Sequence, residues 1–255
     1  MRGIAFVTGA RRGIGRAIAL SLAEDGYDVA INDLEHSSEL ALLCDEIIAL
    51  GRRSAPVAGD VADIARHQQM LDEAEGALGP LTTLVNNAGV SVLSRGDLLD
   101  VAPASYDHCM TVNARGTFFL TQAFARRLLA RDRSPATHHA IVTVSSANAV
   151  APSIARGEYC MSKAAVSMLT KLFAARLSNE GIGVYEIQPG FIETEMTAPS
   201  KARYDALIAG GLTAIRRWGQ PEEVARIALT MASGLLPYTS GQAVQADGGL
   251  LSVRY

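Results

Sequence analysis

Short apolar runs alternate with longer amphipathic stretches along most of the chain. Ile4 to Val7 is uninterruptedly apolar, stops at Thr8-Gly9, and leads through Gly13-Ile14-Gly15 into a helically spaced stretch from Arg16 to Asp25. A second run, Tyr27 to Asn32, ends at Asp33, and a helical pattern from about Ser38 to Leu50 follows. Further strands are expected at 54–58, 81–86, 140–144, 184–188 and 243–245, with helical patterns between them. Apolar runs without strict alternation suit strands covered on both faces, and strand–helix alternation implies parallel pairing through right-handed crossovers. The pattern predicts an α/β fold: a doubly wound parallel sheet of about seven strands with helices on both faces. No repeat, linker or charge block marks a boundary, so residues 1–255 read as one domain. The stretch Arg131-Asp132-Arg133-Ser134-Pro135 reads as a loop before the fifth strand. The connection over about 191–218 is long and has a helical pattern of its own, as expected of a lid over a substrate.

Composition narrows the class. Hydrophobic residues make up 49% and charged residues 19% of 255, enough apolar surface for a sizeable core and too little charge for a disordered chain. Lys and Arg total 23 against 26 Asp and Glu, a net charge of -3, so no basic excess attracts nucleic acid. Cys44, Cys109 and Cys160 are odd in number, far apart and outside any metal-ligand spacing. They read as reduced thiols of a cytoplasmic protein, and no metal site is expected. No apolar run reaches the length needed to cross a membrane, and the start of the chain reads as a strand rather than a signal sequence.

The loop Thr8-Gly9-Ala10-Arg11-Arg12-Gly13-Ile14-Gly15 lies where a strand turns into a helix, which gathers unpaired backbone N–H groups and the positive end of a helix dipole. A pyrophosphate fits such a place. Gly9 permits the tight turn, Gly13 lets the backbone approach the phosphates, and Gly15 allows helix to pack on strand, the pattern of a Rossmann fold. Asp33, 18 residues after Gly15, stands where a carboxylate accepts from the adenosine ribose and repels a 2′-phosphate, which favours NAD over NADP. Arg12 points the other way, since it can pair with a 2′-phosphate; Arg11 and Arg12 read equally well as solvated charges.

Tyr159 and Lys163 stand at i, i+4 before an apolar-periodic stretch that runs to Leu177, so they share a helix face. A cation held beside a phenol favours the phenolate and makes the group useful as an acid or base near neutral pH. Ser145 and Ser146 follow the buried run Ile141 to Val144 and emerge at the sheet edge that carries the glycine loop. His36, His67, His108, His138 and His139 are scattered and read as surface or packing residues. Cys160 points about 100° away from Tyr159 around the helix and reads as a bystander. Glu222 and Glu223 follow Pro221 and suit a helix N-terminus rather than an acid/base pair.

Taken together these residues resemble the classical short-chain dehydrogenase/reductase family, from about Gly3 to Leu250. The resemblance rests on Thr8-Gly9-x-x-x-Gly13-Ile14-Gly15, Asp60-Val61, Asn86-Asn87-Ala88-Gly89, Asn113, Ser146, Tyr159-x-x-x-Lys163, Pro189-Gly190-x-Ile192-x-Thr194 and Asp247-Gly248-Gly249. It implies that Tyr159 is the general acid in ketone reduction and the general base in alcohol oxidation. Lys163 would bind nicotinamide-ribose hydroxyls and favour the phenolate, Asn113 would hold a water linking Lys163 to solvent, and Ser146 would fix the substrate oxygen. Ser146 stands 13 residues before Tyr159, the family's ungapped spacing; Ser145 is the alternative. By the same resemblance Asp60 bonds the adenine amino group, Val61 packs on its ring and Ile14 covers the pyrophosphate. Asn86 either closes the ribose region or steadies the central strand, and Asn87, Ala88 and Gly89 continue that turn. Pro189, Gly190, Ile192 and Thr194 flank the nicotinamide, whose pro-S hydride would be transferred.

The substrate is less legible. The pocket would be lined from 90–95, 147–158 and 191–218, where Arg95, Arg156 and Glu158 read as rim charges that could meet a hydroxylated or carboxylate substrate. The chain is similar overall to 3-oxoacyl-[acyl-carrier-protein] reductases, and Arg176 with Arg131 or Arg133 falls where such enzymes meet their acidic carrier. Asp33 departs from their NADPH preference and suits an oxidative dehydrogenase of polyols, sugars or hydroxy acids. A non-catalytic cofactor-binding regulator is the remote alternative, disfavoured because Asn113, Ser146, Tyr159 and Lys163 are all present. The resemblance further implies a homotetramer packed through helices at 111–129 and 159–177, with a second contact from 241–255.

Overall fold

The structure is a computed structural model and describes residues 2–134 and 136–252. The chain runs β1 (Gly3–Thr8), α1 (Gly13–Glu24), β2 (Tyr27–Asp33), α2 (Ser38–Ala49), β3 (Ser54–Ala58), α3 (His67–Leu78) and β4 (Thr83–Asn86). It continues through α4 (Pro103–Cys109), a π-helical turn (Met110–Gly116), α5 (Thr117–Leu129), β5 (His139–Val144), α6 (Gly157–Leu177), β6 (Ile182–Pro189), α7 (Lys201–Ala209), α8 (Pro221–Ala232) and β7 (Ala243–Ala246). The seven strands form one parallel sheet in the order β3-β2-β1-β4-β5-β6-β7. The expected Rossmann architecture is present, and every strand read from the sequence lies in it. Pro135, in the predicted loop, and the last three residues of the predicted 241–255 contact fall outside the described residues.

Alternation within the apolar strands sends successive side chains into two cores. Ala5 and Val7 of β1, with Val29 and Ile31 of β2, pack against Ile18 and Leu22 of α1, Leu43 and Ile47 of α2 and Ala228 and Met231 of α8. Ile4 and Phe6, with Ala30, Leu84 and Ile141, pack on the other face against Met70 and Leu71 of α3, Phe124 and Leu128 of α5 and Leu177 of α6. Because both faces are covered, the strands needed no polar alternation, which is why they read as continuous apolar runs.

The order places β1 beside both β2 and β4. The chain therefore winds outward in opposite directions from this point, and a crevice opens beyond the carboxyl ends of β1 and β4.

Candidate active site

Gly9 holds a left-handed φ of +61°, and a Cβ there would lie 2.9 Å from Ala88 Cα. A side chain at this position would part the two turns that meet at the switch point. The turns are stitched by Thr8 Oγ1, which accepts from Asn87 N and Ala88 N at 3.0 Å each, and by Asn87 Nδ2, which donates to Thr8 O and Gly9 O. A Cβ on Gly15 would come within 2.1 Å of Gly9 O, so this glycine serves helix–strand packing as its spacing predicted. It does not line the crevice itself.

That crevice is a cleft of about 770 Å³. Gly9, Arg11, Arg12, Gly13 and Ile14 form one end with Asp33, Asp60 and Val61; Ser146, Tyr159 and Lys163 stand along its wall with Asn87, Ala88 and Gly89. Pro189, Gly190, Ile192 and Thr194 close the far side, where the Gly190 backbone lies against Asp247. The cleft thus gathers the predicted catalytic and cofactor residues save Gly15 and Asn113; of the expected substrate lining it takes Val90, Leu93, Ile192 and 194–197, but nothing from 147–158, which departs from that expectation. A glycine cradle at a helix N-terminus, a carboxylate at the end of β2 and a cleft of this volume fit a dinucleotide. No His, Cys, Asp and Glu cluster suited to a metal occurs among the described residues.

Tyr159 and Lys163 lie on one face of α6, with Lys163 Nζ 5.8 Å from the phenol ring centroid. Lys163 is buried, and its ammonium donates to Val144 O at 3.2 Å. Ser146 Oγ caps the turn after β5 by accepting from Asn148 N. Asn113 lies in the π-helical turn, a distortion frequent at functional sites. Its Oδ1 accepts from Val90 N at 2.8 Å, and its Nδ2 donates to Val90 O and Ser162 Oγ, so its side chain is fully engaged. Ser162 Oγ in turn donates to Tyr159 O.

Several expectations are refined. Asn86 is buried and donates to Thr121 Oγ1, the strand-steadying role of the two that its position allowed. Ser145 Oγ is turned to Glu186 and Ile187 O, which leaves Ser146 as the serine with its hydroxyl on the turn. Glu158 is not a rim charge: it is 3% exposed and accepts from Ser105 Oγ at 2.6 Å. Ser105 Oγ also accepts from Leu93 N, so Glu158 anchors the 90–95 segment. Arg156 is half-buried. Its guanidinium lies 5.2 Å from the Tyr159 ring centroid and donates to Asn148 Oδ1, so the motif's neighbours frame the phenol.

The charged groups at the glycine end are also committed. Arg11 N donates to Asp33 Oδ2 at 3.4 Å and Leu34 N donates to Asp33 Oδ1 at 2.9 Å. Arg12 reaches across to pair with Glu195 of the 191–218 connection. That connection is closed at its base by an Ile192–Gly219 bridge, and within it Trp218 Nε1 donates to Asp205 Oδ1 while Phe191 packs on Tyr204 and Trp218. His108, read from the sequence as a surface or packing residue, lines the cleft instead; Glu186 lies buried beneath it and did not stand out, because a single polar residue in an apolar run carries no periodic signal.

A family model described as enoyl-(acyl carrier protein) reductase matches residues 9–251. The chain is 36% identical over 249 residues to a 3-oxoacyl-[acyl-carrier-protein] reductase of Staphylococcus aureus, covering 96% of this chain and 97% of that one. A crystal structure of a 3-oxoacyl-[acyl-carrier protein] reductase from Brucella melitensis in complex with NAD superposes with a TM-score of 0.96 at 41% identity, over 100% of this chain and 99% of that one. A gluconate 5-dehydrogenase from Burkholderia cenocepacia, in complex with NADP and tartrate, gives 0.90 at 32% over 99% and 96%. The chain belongs to the short-chain dehydrogenase/reductase family, NAD(P)-dependent oxidoreductases that act on alcohol and ketone groups.

Proposed function

We propose that this enzyme moves hydride between NAD, in preference to NADP, and a secondary alcohol or ketone of the polyol, sugar or hydroxy-acid class. The observation that carries the reading is that Ser146, Tyr159 and Lys163 line the same cleft as the glycine loop and Asp33. Bound nicotinamide supplies the hydride chemistry. Tyr159 delivers a proton to the oxygen of a ketone as it is reduced, or accepts one from an alcohol as it is oxidised. Ser146 donates to the same oxygen, where negative charge develops. Lys163, whose ammonium donates to Val144 O, would hold the nicotinamide-ribose hydroxyls. Asn113 holds its water through the main chain, since its side chain is taken.

Gly9, Gly13 and Ile14 cover the pyrophosphate with the N–H groups of the loop, Asp60 and Val61 hold the adenine, and Ile192 and Thr194 the carboxamide. Asp33 accepts from the adenosine ribose. Arg12, the residue that would favour a 2′-phosphate, pairs instead with Glu195, and this supports NAD. The relative from Brucella melitensis in complex with NAD supports it too. The segment 191–218 serves as the substrate loop, hinged on the Ile192–Gly219 bridge. Three unpaired thiols support a cytoplasmic setting. An apolar groove between α5 and α6, with Phe118, Phe119, Met168 and Leu172 on its walls, supports the homotetramer.

A second reading, NADPH-dependent reduction of a 3-oxoacyl thioester on acyl carrier protein, is favoured by the name of the Staphylococcus aureus relative. Against it, the arginines that would meet an acidic carrier are engaged within the chain. Arg131 binds Glu75 and Leu81 O, Arg133 binds Glu180 O and Arg176 pairs with Glu180. The test is steady-state turnover of polyols, gluconate and hydroxy acids with NAD beside acetoacetyl thioester with NADPH. Faster oxidation with NAD is expected; faster thioester reduction with NADPH would establish the second reading.

A further inference from the structure

Glu186 is fully buried in β6, where strand pairing sets it between Thr143 of β5 and Ala243 of β7. A carboxyl group buried there costs several kcal/mol unless hydrogen bonds replace its water, and a leucine would fill the space without that cost. The donors it has gathered are all neutral. Ser145 Oγ and Gln188 Nε2 donate to Oε1, the latter at 2.9 Å, and Ser167 Oγ donates to Oε2 at 2.9 Å. Their places in the fold are informative. Ser145 immediately precedes Ser146 at the end of β5, whereas Ser167 lies one turn beyond Lys163 on α6, the helix that carries Tyr159. The two carboxylate oxygens therefore tie the element bearing Ser146 to the element bearing Tyr159 and Lys163.

We infer that Glu186 is a positioning residue, a buried brace that holds the Ser146 turn in register with the Tyr159 helix face. The inference rests on the assignment of Ser146 and Tyr159 to one reaction. Two other polar ties join these elements: Arg156 at the start of α6 donates to Asn148 Oδ1 of the Ser146 turn, and Lys163 Nζ donates to Val144 O, a bond that would be given up if Lys163 turned to a ribose. Glu186 holds the register through that step. Ser145 and Ser146 both line the cleft, but the Ser145 hydroxyl is consumed by the brace, which leaves that of Ser146 to the substrate.

The test compares Ser167→Ala, Glu186→Leu and Glu186→Gln, with Tyr159→Phe in parallel. Readouts are kcat for the best substrate, NADH affinity by fluorescence, and amide hydrogen exchange. Ser167→Ala should lower kcat about tenfold and Glu186→Leu about 10²-fold, since a displacement near 1 Å costs about that much. NADH affinity should stay within about twofold, because the brace lies outside the dinucleotide contacts. Glu186→Gln should recover most of the rate lost in Glu186→Leu: its amide oxygen can accept from Ser145 and Gln188 while its NH₂ donates to Ser167. Faster exchange should be confined to 144–148 and 157–163.

A folded Ser167→Ala with wild-type kcat would overturn the brace. So would exchange that rises across the whole sheet while kcat and NADH affinity fall together, the mark of a purely structural role. If Glu186→Leu does not fold, Ser167→Ala and Glu186→Gln decide by kcat and exchange. Exchange needs no substrate, so the brace is tested even before one is found. Tyr159→Phe separates the two ideas: retained turnover there sinks the site assignment, whereas an inactive Tyr159→Phe beside fully active brace variants sinks only the brace.

Discussion

At Tyr159 the proposed chemistry depends on one hydroxyl, on a ring whose centroid lies 5.8 Å from Lys163 Nζ and 5.2 Å from the guanidinium of Arg156. Tyr159→Phe removes only that hydroxyl. Turnover should fall about 10²–10⁴-fold, the usual worth of a positioned acid or base, while NADH affinity is kept. Stopped-flow measurement of NADH oxidation checks this, and an unchanged rate would sink the mechanism. Asp33 carries the proposed cofactor choice. A hydrogen bond to a charged group contributes about 1.5–3 kcal/mol, so Asp33→Ala should shift the NADP to NAD preference roughly ten- to hundredfold toward NADP. Comparison of kcat/KM for the two cofactors reads the shift; an unaltered ratio would remove Asp33 from its role.

Among the elements, α8 shows how far local sequence rules reach. Pro221 opens the helix, as the Pro-Glu-Glu sequence announced, and Glu223 reaches back to accept from Gln220 N. Glu223 is bound by both Arg217 nitrogens at 2.8 Å and accepts from Gln220 N, and these bonds lower its carboxyl to about 2. An unfolded glutamate titrates near 4.3, so this stabilisation is complete above that value and is lost as pH falls toward 2. Glu223→Gln should cost about 0.5–1 kcal/mol at pH 7, a modest amount for so solvated a group. The difference from wild type should narrow between pH 5 and pH 3 in thermal melts. A gap that widens with acid would contradict the assignment.

The elements also show what the sequence could and could not disclose. β1 and β5 were legible because burial on both faces leaves a largely apolar run, and β2 because Val29 to Ile31 keep that run despite the buried Asp28. The glycine loop was legible because the close approach of Gly9 to Ala88 tolerates no side chain. Glu158 was misread as a rim charge. Polarity predicts exposure on average, but Ser105, brought close by folding, supplies the bond that lets Glu158 leave the surface. Glu186 went unnoticed for the same reason, since its partners come from β5, α6 and its own strand. The π-helical turn around Asn113 was likewise hidden within a continuous helical pattern.

For the whole molecule, two features bear on assembly and use. Met168 and Leu172 of α6 are each more than half exposed beside Phe118 and Phe119 of α5, an apolar face that water does not favour. If this face packs against another copy, as proposed, Met168→Glu with Leu172→Glu should convert the assembly to smaller species in sedimentation. An unaltered mass would place the interface elsewhere. Along the crevice, the cofactor end and the reaction end are separate in sequence yet meet because β1 and β4 are neighbours; the 191–218 segment spans both through the Arg12–Glu195 pair.

All of this depends on a dinucleotide lying along that crevice with its adenosine against Asp33. Separate fluorescence titrations of NADH and NADPH into the purified protein test that placement without a substrate. The account predicts saturable binding of both, with NADH the tighter, and a preference that reverses or vanishes in Asp33→Ala. Tighter NADPH binding, unaltered by Asp33→Ala, would contradict it.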